Sequence, residues 1–293
     1  MKIDDHTVDI SNTDKVFFPE SGITKQDLID YYEDVSALIV PFLKNRPVMI
    51  QRFPNGIDEQ GFYQKAVSDY FPNWLGHIHV KKKDGEIEHI VCNDKAALIY
   101  YVNQGTITFH NWLSTTDNLN NPDQLVIDLD PPEGNFEIVR QGALILNKLL
   151  DEMKISSFVQ TTGSEGLHVF VPLDGKASYD VVRSVVKSLG NYMCDQEPDV
   201  FTTAQRIENR DGKLFFDVHA MAYGQTNVTP YSVRPLPNAP IATPLDWEEL
   251  KKPELGPDTY HLKNIRMRLA KKENPWKDWR ERAISINQLK KKL

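Results

Sequence analysis

The run Val126-Ile127-Asp128-Leu129-Asp130-Pro131-Pro132 sets two carboxylates one residue apart at the end of an apolar stretch. On a strand, alternate side chains share a face, so Asp128 and Asp130 project side by side and the two prolines end the ladder just beyond. Like charges so placed repel, whereas Mg²⁺ or Mn²⁺ prefers hard oxygen ligands supplied this way. A bare D-x-D is equally the mark of exposed acids at a strand end or helix cap. A third acid, Asp217, closes the run Lys213-Leu214-Phe215-Phe216 in the same style. Three such acids make a two-metal site conceivable, with ions about 3.5–4 Å apart serving phosphoryl transfer. By itself, Asp217 reads as a strand-end acid.

Between two apolar runs lies the turn Thr161-Thr162-Gly163-Ser164-Glu165-Gly166, followed by Leu167-His168-Val169-Phe170. Gly163 and Gly166 permit close backbone approach, and Ser164 with free backbone amides can donate to phosphate oxygens. His168 opens the returning strand on the same face as Phe170. The turn suits a triphosphate; a lone Gly-Ser turn is also an ordinary hairpin, and a lone histidine an ordinary core or surface residue.

The elements that must position these groups follow from pattern. Leu28, Tyr32, Val35, Ile39 and Phe42 recur at helical steps after Thr24, an N-cap with Asp27 at N3, predicting one amphipathic helix to Phe42. Strands are expected at 48–53, 97–102 and 106–112, and a hairpin turn at Asp84-Gly85 beside the solvated cluster Lys81–Lys83. The second half alternates: strands at 124–129, 156–160, 167–173 and 213–218, with helices at about 136–153 and 179–193. The proline-rich 229–244 reads as an extended crossing, and the charged segment from Asp246 as helical. The class is α/β (α+β), with mixed or antiparallel sheets and flanking helices. A single domain over 1–293 is expected, in two parts, 1–115 and 116–293.

With 293 residues, 40% hydrophobic and 26% charged, the chain is long enough for a sizeable core and too ordinary in composition for disorder. Its 34 Lys and Arg against 41 Asp and Glu give a net charge of −7, so a polyanion partner would need basic residues gathered locally. Two distant cysteines, Cys92 and Cys194, indicate neither a disulfide framework nor a zinc knuckle. The N-terminus MKIDDHTVDI lacks an apolar signal core and no stretch reaches the roughly 20 apolar residues of a span, which predicts a cytoplasmic protein away from membranes.

In chain order, D-x-D, S-x-G-x-H and a later strand-borne Asp resemble the three motifs of the archaeo-eukaryotic primase superfamily. Within it the chain is similar to the polymerase domain of bacterial ligase D and its stand-alone relatives in non-homologous end joining. The likeness runs through NTDKVFFPESGITKQDLIDYY, NRPVMIQRFPNGIDEQGFYQKAV, VIDLDPP, TTGSEGLHVFVPL and TPYSVRPLPNAPIATPLDWEEL. It implies a primase-like catalytic core with the N-terminal part packed against it. It also implies a template-directed nucleotidyltransferase that fills gaps and extends ends, preferring ribonucleotides.

Carried over, the resemblance makes Asp128, Asp130 and Asp217 catalytic ligands of two Mg²⁺ or Mn²⁺ ions. Lys65, His110, Ser164, Gly166, His168 and Arg234 match nucleotide-holding positions. Lys15 and Lys25 match those that face a downstream 5′-phosphate, and Phe62 and Tyr63 those that stack near the template. Read without the family, Phe62 and Tyr63 would be core and Lys25 a solvated helix residue. Implied partners are gapped or broken DNA, NTP or dNTP, Ku and a DNA ligase, and the implied location is nucleoid-associated.

Two positions depart from the pattern. Gln51 stands where relatives often carry a basic residue, leaving that role to Arg52. Val218-His219 follows Asp217 where many have Gln-Asn, which weakens the inference of ribonucleotide preference. Two other readings stay open at this point: a D-x-D glycosyltransferase, and a non-catalytic end-binding module whose acids are structural.

Overall fold

Thr24 caps the first long helix in both directions. Its hydroxyl accepts from the Asp27 amide at 3.3 Å, and the Asp27 carboxylate accepts from the Thr24 amide at 2.7 Å. The computed structural model describes residues 1–82 and 85–293. The pattern-based helix through Phe42 is two helices, Lys25–Asp34 and Ser36–Leu43. The ladder is interrupted at Val35, where ψ is 6° and the Ser36 hydroxyl donates to the Glu33 carbonyl at 2.8 Å. Leu28, Tyr32, Val35, Ile39 and Phe42 are all buried, as their spacing requires.

The strand expected at 97–102 is a helix, Lys95–Asn103, capped by Asp94, whose side chain accepts from the Ala97 amide. Ala97, Leu98, Ile99, Tyr101 and Val102 are all buried, so neither periodicity marks the segment, and a short apolar run does not separate buried strand from buried helix.

The chain forms two compact units: 1–117 with 226–242 and 260–266, and 118–225 with 243–259 and 267–293. The chain then returns to the first unit because Thr226–Val228 pairs antiparallel with Thr106–Trp112.

In the first unit a four-stranded antiparallel sheet runs in the order Thr226–Val228, Thr106–Trp112, Val48–Arg52, Phe62–Gln64. Helix Lys25–Asp34 backs it: the Tyr32 hydroxyl donates to the Ile107 carbonyl at 2.5 Å, and its ring meets Phe109 edge-on at 5.4 Å. The proline-rich crossing is laid along Thr106–Trp112 by side-chain bonds, Thr108 Oγ1 to the Val233 carbonyl and the Phe109 amide to Ser232 Oγ, each 2.8 Å. A separate hairpin pairs His77–Lys82 with Gly85–Ile90. Of the turn predicted at Asp84-Gly85 and the lysine cluster before it, Asp84 and Lys83 lie outside the described residues.

In the second unit a six-stranded sheet has the order Phe201–Thr202, Leu214–Asp217, Gln124–Asp130, Leu167–Pro172, Phe158–Thr161, Pro244–Leu245. All neighbours are antiparallel except the first pair. Helices Phe136–Glu152 and Tyr179–Gln196 cover one face. Gly190 lets the second approach closely, since a Cβ there would lie 2.9 Å from Val218 Cγ1. Beyond Asp246 the segment is short pieces rather than one long helix: 3₁₀ turns Trp247–Lys251 and Trp279–Arg282, and helices Ile265–Lys271 and Ile286–Lys290. Pro253, Pro257 and Pro275 interrupt it. Among the described residues no helix is long and apolar enough to cross a membrane.

Candidate active site

Sheet register aligns the acidic residues. Asp128 stands directly opposite Asp217 on one neighbouring strand and His168 on the other. Directly opposed residues share a face. Asp217, Asp128 and His168 therefore form one row, with Asp130 and Phe215 in the next. The intervening Leu129, paired with Phe216, turns to the helix-covered face, and both are fully buried. The alternation predicted for Asp128 and Asp130 is thus observed.

His168 is 7% exposed, and its Nε2 lies 3.4 Å from Asp128 Oδ1. One oxygen of Asp217 is fixed by the His219 amide at 2.7 Å. Burial, then the neighbouring charge of Asp128, pushes the Asp130 carboxyl up to about 6. Arg210 pulls it the other way, from a position 3.9 Å over the Phe215 ring. The cluster is short of positive charge. Among the described residues no three His, Cys, Asp or Glu side chains form a ready metal-holding group. The donor set of hard, half-exposed carboxylate oxygens nonetheless fits Mg²⁺ or Mn²⁺.

The turn after Phe158–Thr161 departs from the expected cradle of free amides. The Ser164 and Gly166 amides both reach Thr162 Oγ1, at 3.4 and 3.2 Å, so they close the turn internally. Gly166 is required by packing: a Cβ would sit 2.6 Å from the Leu129 carbonyl oxygen. The residue therefore seats the Ser164 turn against the strand that carries Asp128 and Asp130.

In the first unit, His110, Gln51 and Tyr63 share the sheet face opposite the helices, and the Tyr63 ring meets His110 edge-on at 6.0 Å. Phe62 and Tyr63 are 46% and 59% exposed, so they are surface rings rather than core. Lys65 follows them, exposed, with its carbonyl accepting from the Ile90 amide. Arg234 is half-buried, three residues after Tyr231, a fully buried residue held at φ 68°. Bulky side chains rarely adopt that conformation, and such strain gathers at functional segments.

Lys15, Lys25 and Arg52 line one cavity of about 290 Å³ together with Ser11, Asn12 and Asn55. Neutral oxygens orient all three cations. Lys15 Nζ donates to the Pro54 carbonyl and Asn55 Oδ1, both at 2.7 Å, and Lys25 Nζ to the Ser11 carbonyl at 2.6 Å. Arg52 donates to the Gln104 carbonyl, Gln64 and Tyr70, and lies 5.3 Å from the Phe62 ring centroid. Lys25 is only 4% exposed, not solvated, and burial followed by the charge of Lys15 lowers its pKa. A bulge between Gln51 and Arg52 re-aims the arginine out of simple register.

Sequence reasoning missed Arg210 and the cavity's asparagines. Arg210 lies in an irregular segment just before the Leu214–Asp217 strand, where the turn Asp211-Gly212 is the single local cue.

Residues 24–276 match the family model described as LigD, primase-polymerase domain. A bifunctional non-homologous end joining protein LigD from Bacillus subtilis is 34% identical over 290 residues, covering 96% of this chain and 46% of that protein. A multifunctional non-homologous end joining protein LigD from Mycolicibacterium smegmatis is 29% identical over 251 residues, covering 85% and 33%. The chain thus spans less than half the length of these curated relatives. The solved polymerase domain from Mycobacterium tuberculosis ligase D, in complex with DNA, superposes with a TM-score of 0.88 at 26% identity, covering 95% of this chain and 99% of that one. The family-model match over residues 24–276 and the 34% identity across 96% of the chain together place this chain in the LigD primase-polymerase domain family, as a nucleotidyltransferase.

Proposed function

We propose that the chain adds nucleotides, ribonucleotides in preference to deoxyribonucleotides, to DNA 3′ ends at gaps and breaks under template direction, in non-homologous end joining. The observation that carries this reading is the row Asp217, Asp128, His168 with Asp130 beside it, its carboxylates half-exposed and short of positive charge. Asp128, Asp130 and Asp217 hold two divalent ions, Mg²⁺ or Mn²⁺. When bound, these supply Lewis-acid activation of the 3′-hydroxyl and neutralise charge on the departing pyrophosphate. Asp217, fixed by the His219 amide, orients beside the primer terminus. Ser164 and His168 in the second unit, and Lys65, His110 and Arg234 in the first, are nucleotide-binding residues in this reading, the cations offsetting charge that develops on transfer.

The cavity of Lys15, Lys25 and Arg52 receives a downstream 5′-phosphate, because its cations are oriented by neutral oxygens and lack a neutralising anion among the bonds that hold them. The exposed Phe62 and Tyr63 stack on bases without sequence preference. The M. tuberculosis domain is described in complex with DNA and the B. subtilis relative as an end joining protein, which supports DNA as substrate here. Ku and a DNA ligase are the proposed partners, and a cytoplasmic, nucleoid-associated location follows from that reading.

Single-nucleotide extension of a gapped, 5′-phosphorylated duplex with Mn²⁺ tests the proposal. Templated addition, faster with NTP than dNTP and lost in Asp128→Ala plus Asp130→Ala, is expected. Undiminished extension by that variant removes the assignment of the acids, and equal rates with both sugars remove the ribonucleotide preference.

A further inference from the structure

The hairpin His77–Lys82/Gly85–Ile90 carries a second cluster of ligating side chains, independent of the acids above. Its buried face is Val80 and His89; its outer face presents His77 and His79, two residues apart on one strand, with Glu86 and Glu88 on the other. His79 stands directly opposite Glu88. Glu88 Oε1 lies 3.1 Å from His77 Nε2 and 4.0 Å from His79 Nε2, so two imidazole nitrogens flank a single carboxylate oxygen. In a tetrahedral zinc site with metal–ligand bonds of about 2.0–2.1 Å, neighbouring donor atoms are about 3.3–3.4 Å apart. The first separation is already close to that edge, and the second needs His79 drawn in by under about 1 Å.

The other ring nitrogen of His79 completes the pattern. Its Nδ1 faces Glu86 Oε2 at 4.0 Å, so one nitrogen of this imidazole faces the prospective ligand oxygen and the other a carboxylate. Metal-bound histidines are oriented in this way by a carboxylate on the distal nitrogen. Two imidazoles and a carboxylate favour a borderline ion such as Zn²⁺ over Mg²⁺. Among the described residues no three such side chains form a ready metal-holding group, so His79 has to close its 4.0 Å gap to Glu88 for an ion to be held.

We propose that His77, His79 and Glu88 bind one Zn²⁺-class ion on the outer face of this hairpin, with Glu86 orienting His79. The ion stiffens a segment that is tied to the Lys65 strand end by the Val67 amide to the Glu88 carbonyl at 2.9 Å and the Ile90 amide to the Lys65 carbonyl at 3.0 Å.

The test is calorimetric titration of metal-free protein with Zn²⁺ alone, in an Asp128→Asn plus Asp130→Asn background that removes the other oxygen cluster. One site per chain is expected to persist there. Its affinity should fall at least about 100-fold in His77→Ala and in His79→Ala, and about 10-fold in Glu86→Gln. Co²⁺ in place of Zn²⁺ should give the visible absorption of a tetrahedral centre, absent in both histidine variants. All four side chains are exposed, so these variants are expected to keep the parent's circular dichroism. No Zn²⁺ binding in the acid-depleted background, or affinity unchanged by either histidine substitution, overturns the proposal.

Discussion

Two charge clusters within the second unit are built on opposite principles. At Glu249, Arg268 and Lys272 the charges neutralise one another: the Glu249 carboxylate lies 2.9 Å from both cations, and its side chain and that of Arg268 are 5% and 6% exposed. Burial pushes the Glu249 carboxyl up, but the Lys272 hydrogen bond, the Asp246 amide and the charge of Arg268 together bring it below its ordinary value. At Asp128, Asp130 and Asp217 the like charges have no comparable partner, and Asp130 is pushed up instead. The first cluster is finished as a structure; the second, in the proposed function, receives a ligand of opposite sign. The cavity of Lys15 and Lys25 in the first unit is its mirror image, with Lys25 held low by burial and a neighbouring cation.

That contrast can be broken at the structural cluster first. Glu249→Gln leaves Arg268 buried beside a neutral group and should cost about 3–5 kcal/mol of stability, read by chemical denaturation, while activity per folded molecule is unchanged. The folded Glu249 pKa is depressed, so its contribution is present above the ordinary carboxyl range and is lost as pH falls through the folded value. Equal stability of parent and variant would remove the distinction between the clusters.

Gly166→Ala tests the seat of the catalytic strand. The added Cβ meets the Leu129 carbonyl, backbone that cannot swing aside, so turn and strand end must shift. Displacement on the order of 1 Å costs about 10²-fold in rate, and the overpacking about 1–3 kcal/mol. Full activity in Gly166→Ala would show that the Ser164 turn does not need this close approach.

Asp130→Asn should act with the reverse sign. The folded pKa is raised, so ionised Asp130 is unfavourable in the metal-free chain; the burden is relieved below the ordinary value near 4 and fully present above about 6. In chelator at pH 7.5 the variant should be more stable than the parent, by about 1 kcal/mol after discounting for partial exposure. The gain should vanish at pH 4 and extension should be lost. A thermal midpoint below the parent's at pH 7.5 would contradict the charge-deficit account.

Much of this was readable in residue order. Period-two alternation foretold that Asp128 and Asp130 share a face, and Thr24 with Asp27 announced a helix start. What escaped is non-local or unperiodic. Leu98, Ile99, Tyr101 and Val102 are buried on so many sides that helix and strand leave the same signature. Partners of amides cannot be read before the turn closes, so Thr162 Oγ1 took the amides of Ser164 and Gly166 that the pattern left free for phosphate. The need for glycine at 166 arises from the Leu129 carbonyl, more than thirty positions away. Lys25 looked like a solvated helix residue because its burial depends on Ser11.

The most direct measurement compares extension of one gapped duplex with and without the downstream 5′-phosphate, in the parent, Asp217→Asn and Lys25→Gln. The account predicts that Asp217→Asn loses extension on both substrates by about 10³-fold while still binding the phosphorylated gap more tightly. Lys25→Gln should keep extension of the unphosphorylated gap and lose about 10-fold or more of the phosphate preference. Undiminished extension by Asp217→Asn, or an unaltered phosphate preference in Lys25→Gln, would contradict it.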